Sequence, residues 1–299
     1  MTAPFLLLAL AAVHPAADTT LRLPRGGGVE IETQLRDVIV RTGTTDMVTI
    51  RGATGEFDGR TLQVTTDNRR NRGNGPIEVT LPVWARVDVS SVGGNLTFSA
   101  APERLRAETV NGFIRVTGGT GTVELETVAG AVTVTDFRGT LLSIDATGGA
   151  VTVTNATGKI SVDNVNDNVT LRGIRSNSIS ASTVNGAIEY EGSFAADGRY
   201  EFNSQNDNVT LILPGDVSAR LKISTMNGQL ISPQIPATTN GTQDVASGAG
   251  KGKGKDKTKD KGHDHGDEGE HTFTAVYGSG AAQVTVDVFN GNVIVKRKP

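Results

Sequence analysis

Cysteine is absent from this 299-residue chain, and histidine occurs only as His14, His263, His265 and His271. Disulfide staples and thiol nucleophiles are excluded, and imidazole chemistry could be built only from the three clustered late in the chain. Aromatic residues make up 4% of the sequence, so platforms for stacking sugar rings or bases are scarce. Neither sign of charge dominates: 29 Lys and Arg face 32 Asp and Glu, a formal net charge of −3, which leaves no nucleic-acid footprint. Long apolar runs are missing too. Phe5–Val13 is nine residues long, too short to span a membrane but the right length for the apolar region of a secretory signal. Small residues follow it at Pro15-Ala-Ala-Asp18. Residues 1–17 therefore read as a signal peptide, although no Lys or Arg precedes the run. The mature chain, 18–299, is expected to be exported to the periplasm, the cell surface or the medium, with no transmembrane span and no Cys for lipid attachment.

What is abundant is Gly, at 37 residues, together with Thr, Val and Asn. β-Branched residues suit pleated, half-buried surfaces, and Asn and Gly suit tight turns. These residues recur as a phrase: Glu108-Thr-Val-Asn-Gly112, Asp163-Asn-Val-Asn-Asp167, Ser182-Thr-Val-Asn-Gly186, Asn203-Ser-Gln-Asn-Asp207, Ser224-Thr-Met-Asn-Gly228 and Asp287-Val-Phe-Asn-Gly291. Looser copies end at Gly94, Gly130 and Gly149. Taking the last residue as an anchor, the steps from 94 to 112, 130, 149, 167, 186, 207 and 228 are 18, 18, 19, 18, 19, 21 and 21 residues. A fixed period marks a stacked-repeat architecture.

Equivalent positions form columns. Two residues after the anchor stand Leu96, Ile114, Val132, Val151, Val169, Ile188, Val209, Leu230 and Val293; four after it stand Phe98, Val116, Val134, Val153, Leu171, Tyr190, Leu211 and Val295. Thr or charged residues fall between them, which is the alternation of a strand with one buried face. A second strand precedes each anchor, as in Val123/Leu125, Leu142/Ile144 and Ile160/Val162. Another apolar residue, as in Val110, Val128, Val165 and Val184, lies two before the anchor and breaks the period of two, so the chain must bend there. Asn-Gly between alternating strands also suits a hairpin sandwich. The constant phase of each column favours instead a single-domain, all-β parallel solenoid (β-helix) of about 18–21 residues and two short strands per coil, in which like residues stack on like. Val29, Ile31, Val38 and Val40 fit an anchor at Arg36, and the interval to Gly94 leaves room for about three coils, filled by Val48/Ile50, Leu62/Val64 and Ile77/Val79/Leu81.

Three features carry candidate chemistry. Residues 233–271 form a Gly-, Lys-, His- and Asp-rich insertion that cannot bury enough apolar surface to fold, so a disordered loop is expected. Within it His263, His265, His271 and Asp267 would supply a weak site for Zn²⁺, Ni²⁺ or Cu²⁺. Four before the anchor, Glu108, Glu126, Asp145 and Asp163 make a column of acids that must splay into water or share cations. Parallel β-helix enzymes acting on polysaccharides use clustered carboxylates, but here no Lys or Arg keeps to a neighbouring column. One before the anchor, Asn111, Asn166, Asn185, Asn206, Asn227 and Asn290 can hydrogen-bond along a ladder. The Asn-x-Thr matches at Asn95, Asn155, Asn168 and Asn208 are by-products of the repeat.

At Glu108–Ile114, Ser182–Ile188 and Asp287–Val295 the phrase resembles a bacterial candidate-adhesin family of β-strand repeats, a domain of unknown function. The likeness covers roughly residues 29 to 299 outside the insertion, and Glu78–Pro82 ahead of Arg86–Val89 is similar to the family's strand ending in Pro. The resemblance implies a β-solenoid on a secreted or surface-attached chain, and no catalytic residues. The expected function is a non-catalytic, adhesin-like scaffold without cofactor, facing a protein or glycan partner. A polysaccharide-active enzyme using the acid column is the alternative. Self-assembly through open end coils is a third reading, opposed by the closing Lys296-Arg-Lys-Pro299, which would blunt an edge strand.

Overall fold

The computed structural model describes residues 18–66, 75–232 and 271–298. Among them there is no helix, and all the strands fall into two 13-stranded sheets. Strands that follow the Asn-Gly corner, such as Ile114–Gly119, build the first sheet; strands that precede it, such as Arg104–Thr109, build the second. Within the array the pairings are parallel and, apart from shifts between Arg138 and Leu141 and between Arg172 and Ile174, in register, with Ile114 opposite Leu96 and Val132, and Leu105 opposite Val87 and Val123. The chain is a parallel β-solenoid, as the columns require.

Alternation along each strand sends one set of side chains into the space between the sheets. Val116, Val134, Val153, Leu171 and Leu211 are fully buried there, as are Leu105, Val123, Leu142, Ile144 and Ile160. Each such burial contributes roughly 1.5–3 kcal/mol, and repetition over the coils makes one continuous core. Where the step lengthens to 21 residues, between anchors 186 and 207, aromatics fill the extra width. Tyr190 stacks on Phe194 at 5.4 Å and tilts against Phe202 at 5.2 Å. The Tyr200 hydroxyl donates to the Ser176 carbonyl at 2.5 Å and accepts from the Ala195 amide at 2.7 Å.

The corner is so tight that a Cβ on Gly112 would run into the carbonyl oxygen of Gly94 in the coil below. Three before the anchor, buried hydroxyls bond that carbonyl row: Ser204 donates to Gly186 at 3.1 Å and Thr183 to Asp167 at 3.3 Å. The asparagines one before the anchor pass an amide hydrogen bond from coil to coil. Asn166 donates to the Thr147 carbonyl, Asn185 to Asn166, Asn206 to Asn185, Asn290 to Asn206 and Asn227 to Asn290, all at 2.8–3.1 Å. A second amide column, unread in the sequence, follows the anchor: the side-chain oxygens of Asn95, Asn168, Asn208 and Asn292 accept backbone amides of the next coil.

The order of the coils differs from sequence order at both ends. The axis begins with Thr61–Thr65 and Ile77–Pro82, continues with Gly28–Thr33 and Val38–Gly43, and then runs sequentially from Arg86 to Leu213. Next comes Ala282–Val288 with Val293–Arg297, and last Ala219–Thr225 with Leu230–Ile231. Arg36 is an anchor, since Val38 lies opposite Leu96, but the expected three sequential coils between residues 36 and 94 are not found. Val48 and Ile50 instead lie on Met47–Arg51, which runs antiparallel to Thr19–Arg22 and Ile77–Pro82 and caps the first sheet. Thr54–Asp58 and His271–Tyr277 cap the two ends of the second sheet in the same antiparallel way. The closing strand is flanked by Val209–Leu213 along its length but by Leu230–Ile231 only at Val293 and Ile294, so among the described residues Lys296 and Arg297 are paired on one side.

Candidate functional site

The outward face of the second sheet sorts its side chains into stripes, because in-register stacking turns each column into a line parallel to the axis. The acid column forms as the spacing requires: Glu108 lies opposite Glu126, Glu126 opposite Asp145, and Asp145 opposite Asp163. Asp163 accepts from the Ser182 hydroxyl at 2.5 Å. Two residues earlier on each strand, Glu30, Asp88 and Glu124 widen the acidic field, joined by a single cation, Arg106. Arg106 donates to Glu108 at 2.5 Å and stands 3.9 Å from Glu126. Partial burial, then the charges of Asp163 and Glu126, lifts the Asp145 carboxyl above its ordinary range. Asp88 is lifted likewise, by partial burial and then Glu30, with Arg106 opposing. Among the described residues no group of three metal-ligating side chains converges, so the acids line up without enclosing an ion.

Beside the acids runs an apolar stripe. The residues two before the anchor do bend out of the strand period, and they point into solvent at the corner: Val92, Val110, Val128 and Val165 are exposed, Val128 by 48%. Val184 continues the line half-buried, and Phe289, 50% exposed, and Met226 end it. Near that end, Val184, Gln205, Phe289 and Met226 line a groove of about 400 Å³. The bend was legible in the sequence; its exposure was not, because apolar residues two before the anchor look like further core.

The opposite edge of the same sheet is basic, with Arg86, Arg104 and Arg199 opening their strands and Lys159 the third residue of its own. Of the metal-ligand candidates, His263, His265 and Asp267 lie outside the described residues, and His271 opens the capping strand opposite Thr225.

Three solved structures similar to this chain carry adhesion or lipid names. A candidate cell adhesion protein from Clostridium sporogenes shares 9% identity, covering 95% of this chain and all of that one, with a TM-score of 0.22. A candidate adhesin from Parabacteroides distasonis shares 12% identity over 94% of this chain and 97% of its own, with a TM-score of 0.40. A candidate lipid-binding protein from the same organism shares 9% identity over the same fractions, with a TM-score of 0.41. No curated protein matches the chain. A family model spanning residues 29–267 does match, and by it the chain belongs to the Toastrack DUF4097 family.

Proposed function

We propose that the chain is an exported, non-catalytic scaffold whose apolar stripe, flanked by the acid column, docks a protein partner. The exposed run Val92, Val110 and Val128, taken up again by Val165 beyond the exposed Thr147, carries this reading. Apolar residues exposed in a contiguous line, rather than singly, mark interaction surfaces. The neighbouring acids would favour a partner with basic residues beside its apolar contact and would speed encounter with it. The polysaccharide-enzyme alternative gains nothing further from the acids, whose one neighbouring cation is engaged by Glu108.

A photo-crosslinking amino acid placed at Val128 in the native host is expected to trap one discrete partner, whereas the same probe at outward Thr133 on the first sheet traps none. Val110→Asp with Val165→Asp should abolish the Val128 adduct while leaving the melting temperature unchanged; an undiminished adduct overturns the docking reading. Cell fractionation tests export. For the metal reading, Zn²⁺ titration of the whole chain and of a variant lacking residues 248–271 should show binding only in the former.

A further inference from the structure

On the basic edge of the second sheet lies a pocket of about 470 Å³ whose lining includes Arg25, Trp84, Arg86, Glu103, Arg104 and Thr122. Arg86 and Arg104 stand directly opposite each other in the parallel register, both exposed. Like charges in that relation destabilise a sheet, and among the described residues no carboxylate pairs with either. A third guanidinium is fixed at the rim. Arg25 lies over the ring of Trp84, 5.6 Å from its centroid, and the Arg25 carbonyl accepts from Arg60. Trp84 is half-buried and packs against the core, so it holds this cation in place.

From this pocket we infer a second binding site, for a carboxylated sugar unit of an acidic glycan. Guanidinium forks match a planar carboxylate in a bidentate way, and two of them in register offer four parallel donors. The volume falls in the range of small-ligand sites and accommodates one or two sugar rings. Glu103 decides between ligand classes. This exposed residue lines the same pocket and, among the described residues, forms no ion pair; its carboxylate would accept from sugar hydroxyls but repel the closely spaced charges of a phosphate chain. The hydroxyls of Thr120, Thr122 and Thr140 add partners of the same kind. The inference extends the scaffold reading to a second surface but does not depend on the stripe, so its failure would leave the Val128 crosslink untouched.

Trp84 is the only tryptophan in the chain, so its emission reports on this pocket alone. Titration of the whole protein with trigalacturonate and with sialyllactose is expected to give a saturable, salt-sensitive change for at least one of them. Fully methyl-esterified trigalacturonate should give none. Arg86→Gln with Arg104→Gln should weaken binding at least about tenfold, the loss of roughly 1.4 kcal/mol, while Lys159→Gln leaves it unchanged and neither variant lowers the melting temperature. Glu103→Gln should weaken the sugar and strengthen tripolyphosphate. No saturable response to either acidic sugar overturns the proposal. So does equal binding of the neutral ester, or binding of tripolyphosphate tighter than of both sugars, which would mark a phosphate site.

Discussion

Single amides and carboxylates carry measurable weight in this array because each is repeated against its own kind. Asn185 is the middle of an unbroken run, donating to Asn166 and accepting from Asn206. Asn111, the same residue type in the same column, has Gly93 and Ala129 as its lateral neighbours and makes no side-chain hydrogen bond. Asn185→Ala is therefore expected to cost about 1 kcal/mol, and Asn111→Ala less than about 0.5 kcal/mol, in urea denaturation. The contrast removes composition and position as explanations. Asp145 tests the opposite sign. Its carboxyl titrates above the unfolded value of 3.8, so the ionised form is disfavoured by the fold. This penalty is fully present at neutral pH and fades as pH falls through the raised value towards 3.8. Asp145→Asn should raise the melting temperature slightly at pH 7, and the gain should vanish near pH 4 and shrink in high salt. A gain that grew on acidification would contradict the assignment.

At the scale of elements, each coil is held by what its strands send inward and by how its corner closes. Tyr200 joins the two, since its ring packs against Tyr190 and Phe194 while its hydroxyl ties the Ser176 carbonyl and the Ala195 amide. Tyr200→Phe leaves both backbone groups without that partner and should cost about 1–3 kcal/mol. Faster proteolysis between residues 192 and 198 should accompany the loss. Much at this scale could be read from the sequence. Columns two and four after the anchor placed the first sheet's core residue by residue, and the acid and asparagine ladders followed from the same phase. The stripe escaped because a valine two before the anchor looks like core until the corner's bend is known. The amides of Asn95, Asn168 and Asn208 escaped because their Asn-x-Thr context suggested nothing structural. The arginine pocket escaped because its parts come from separate places in the chain, Arg25 and Trp84 from two connections and Arg104 from the start of a strand.

The whole molecule departs from the sequence reading in the order of its coils, and the reason is physical. Val209 packs in register with Val293 where sequence order would offer Leu230. The coils with anchors at 207, 228 and 291 all present a backbone carbonyl at the corner, an Asn one before the anchor and an aliphatic residue two after it, so these contacts do not distinguish a sequential neighbour from a transposed one. The arrangement makes Ala282–Arg297 a keystone, paired on both sides by Ala282–Val288 in the second sheet and by Val293 and Ile294 in the first. Removing residues 279–299 should therefore release more than the residues deleted: hydrogen exchange is expected to lose protection across 219–231 and 271–277 as well, while 86–204 stays protected.

Transposition also bears on the timing of assembly. Synthesis delivers the chain in sequence order, so Ala219–Thr225 emerges next to the open flank of Arg199–Ser204 before the strand that belongs there has been made. The two competitors share the same inward pattern, and whichever pairs first blocks the other. Folding must therefore either wait for residues 282–297 or undo an early, nearly isoenergetic pairing, and in both cases the far end of the array closes late and slowly. A chaperone or a delay in chain release acting on this interval would decide the yield of the native form.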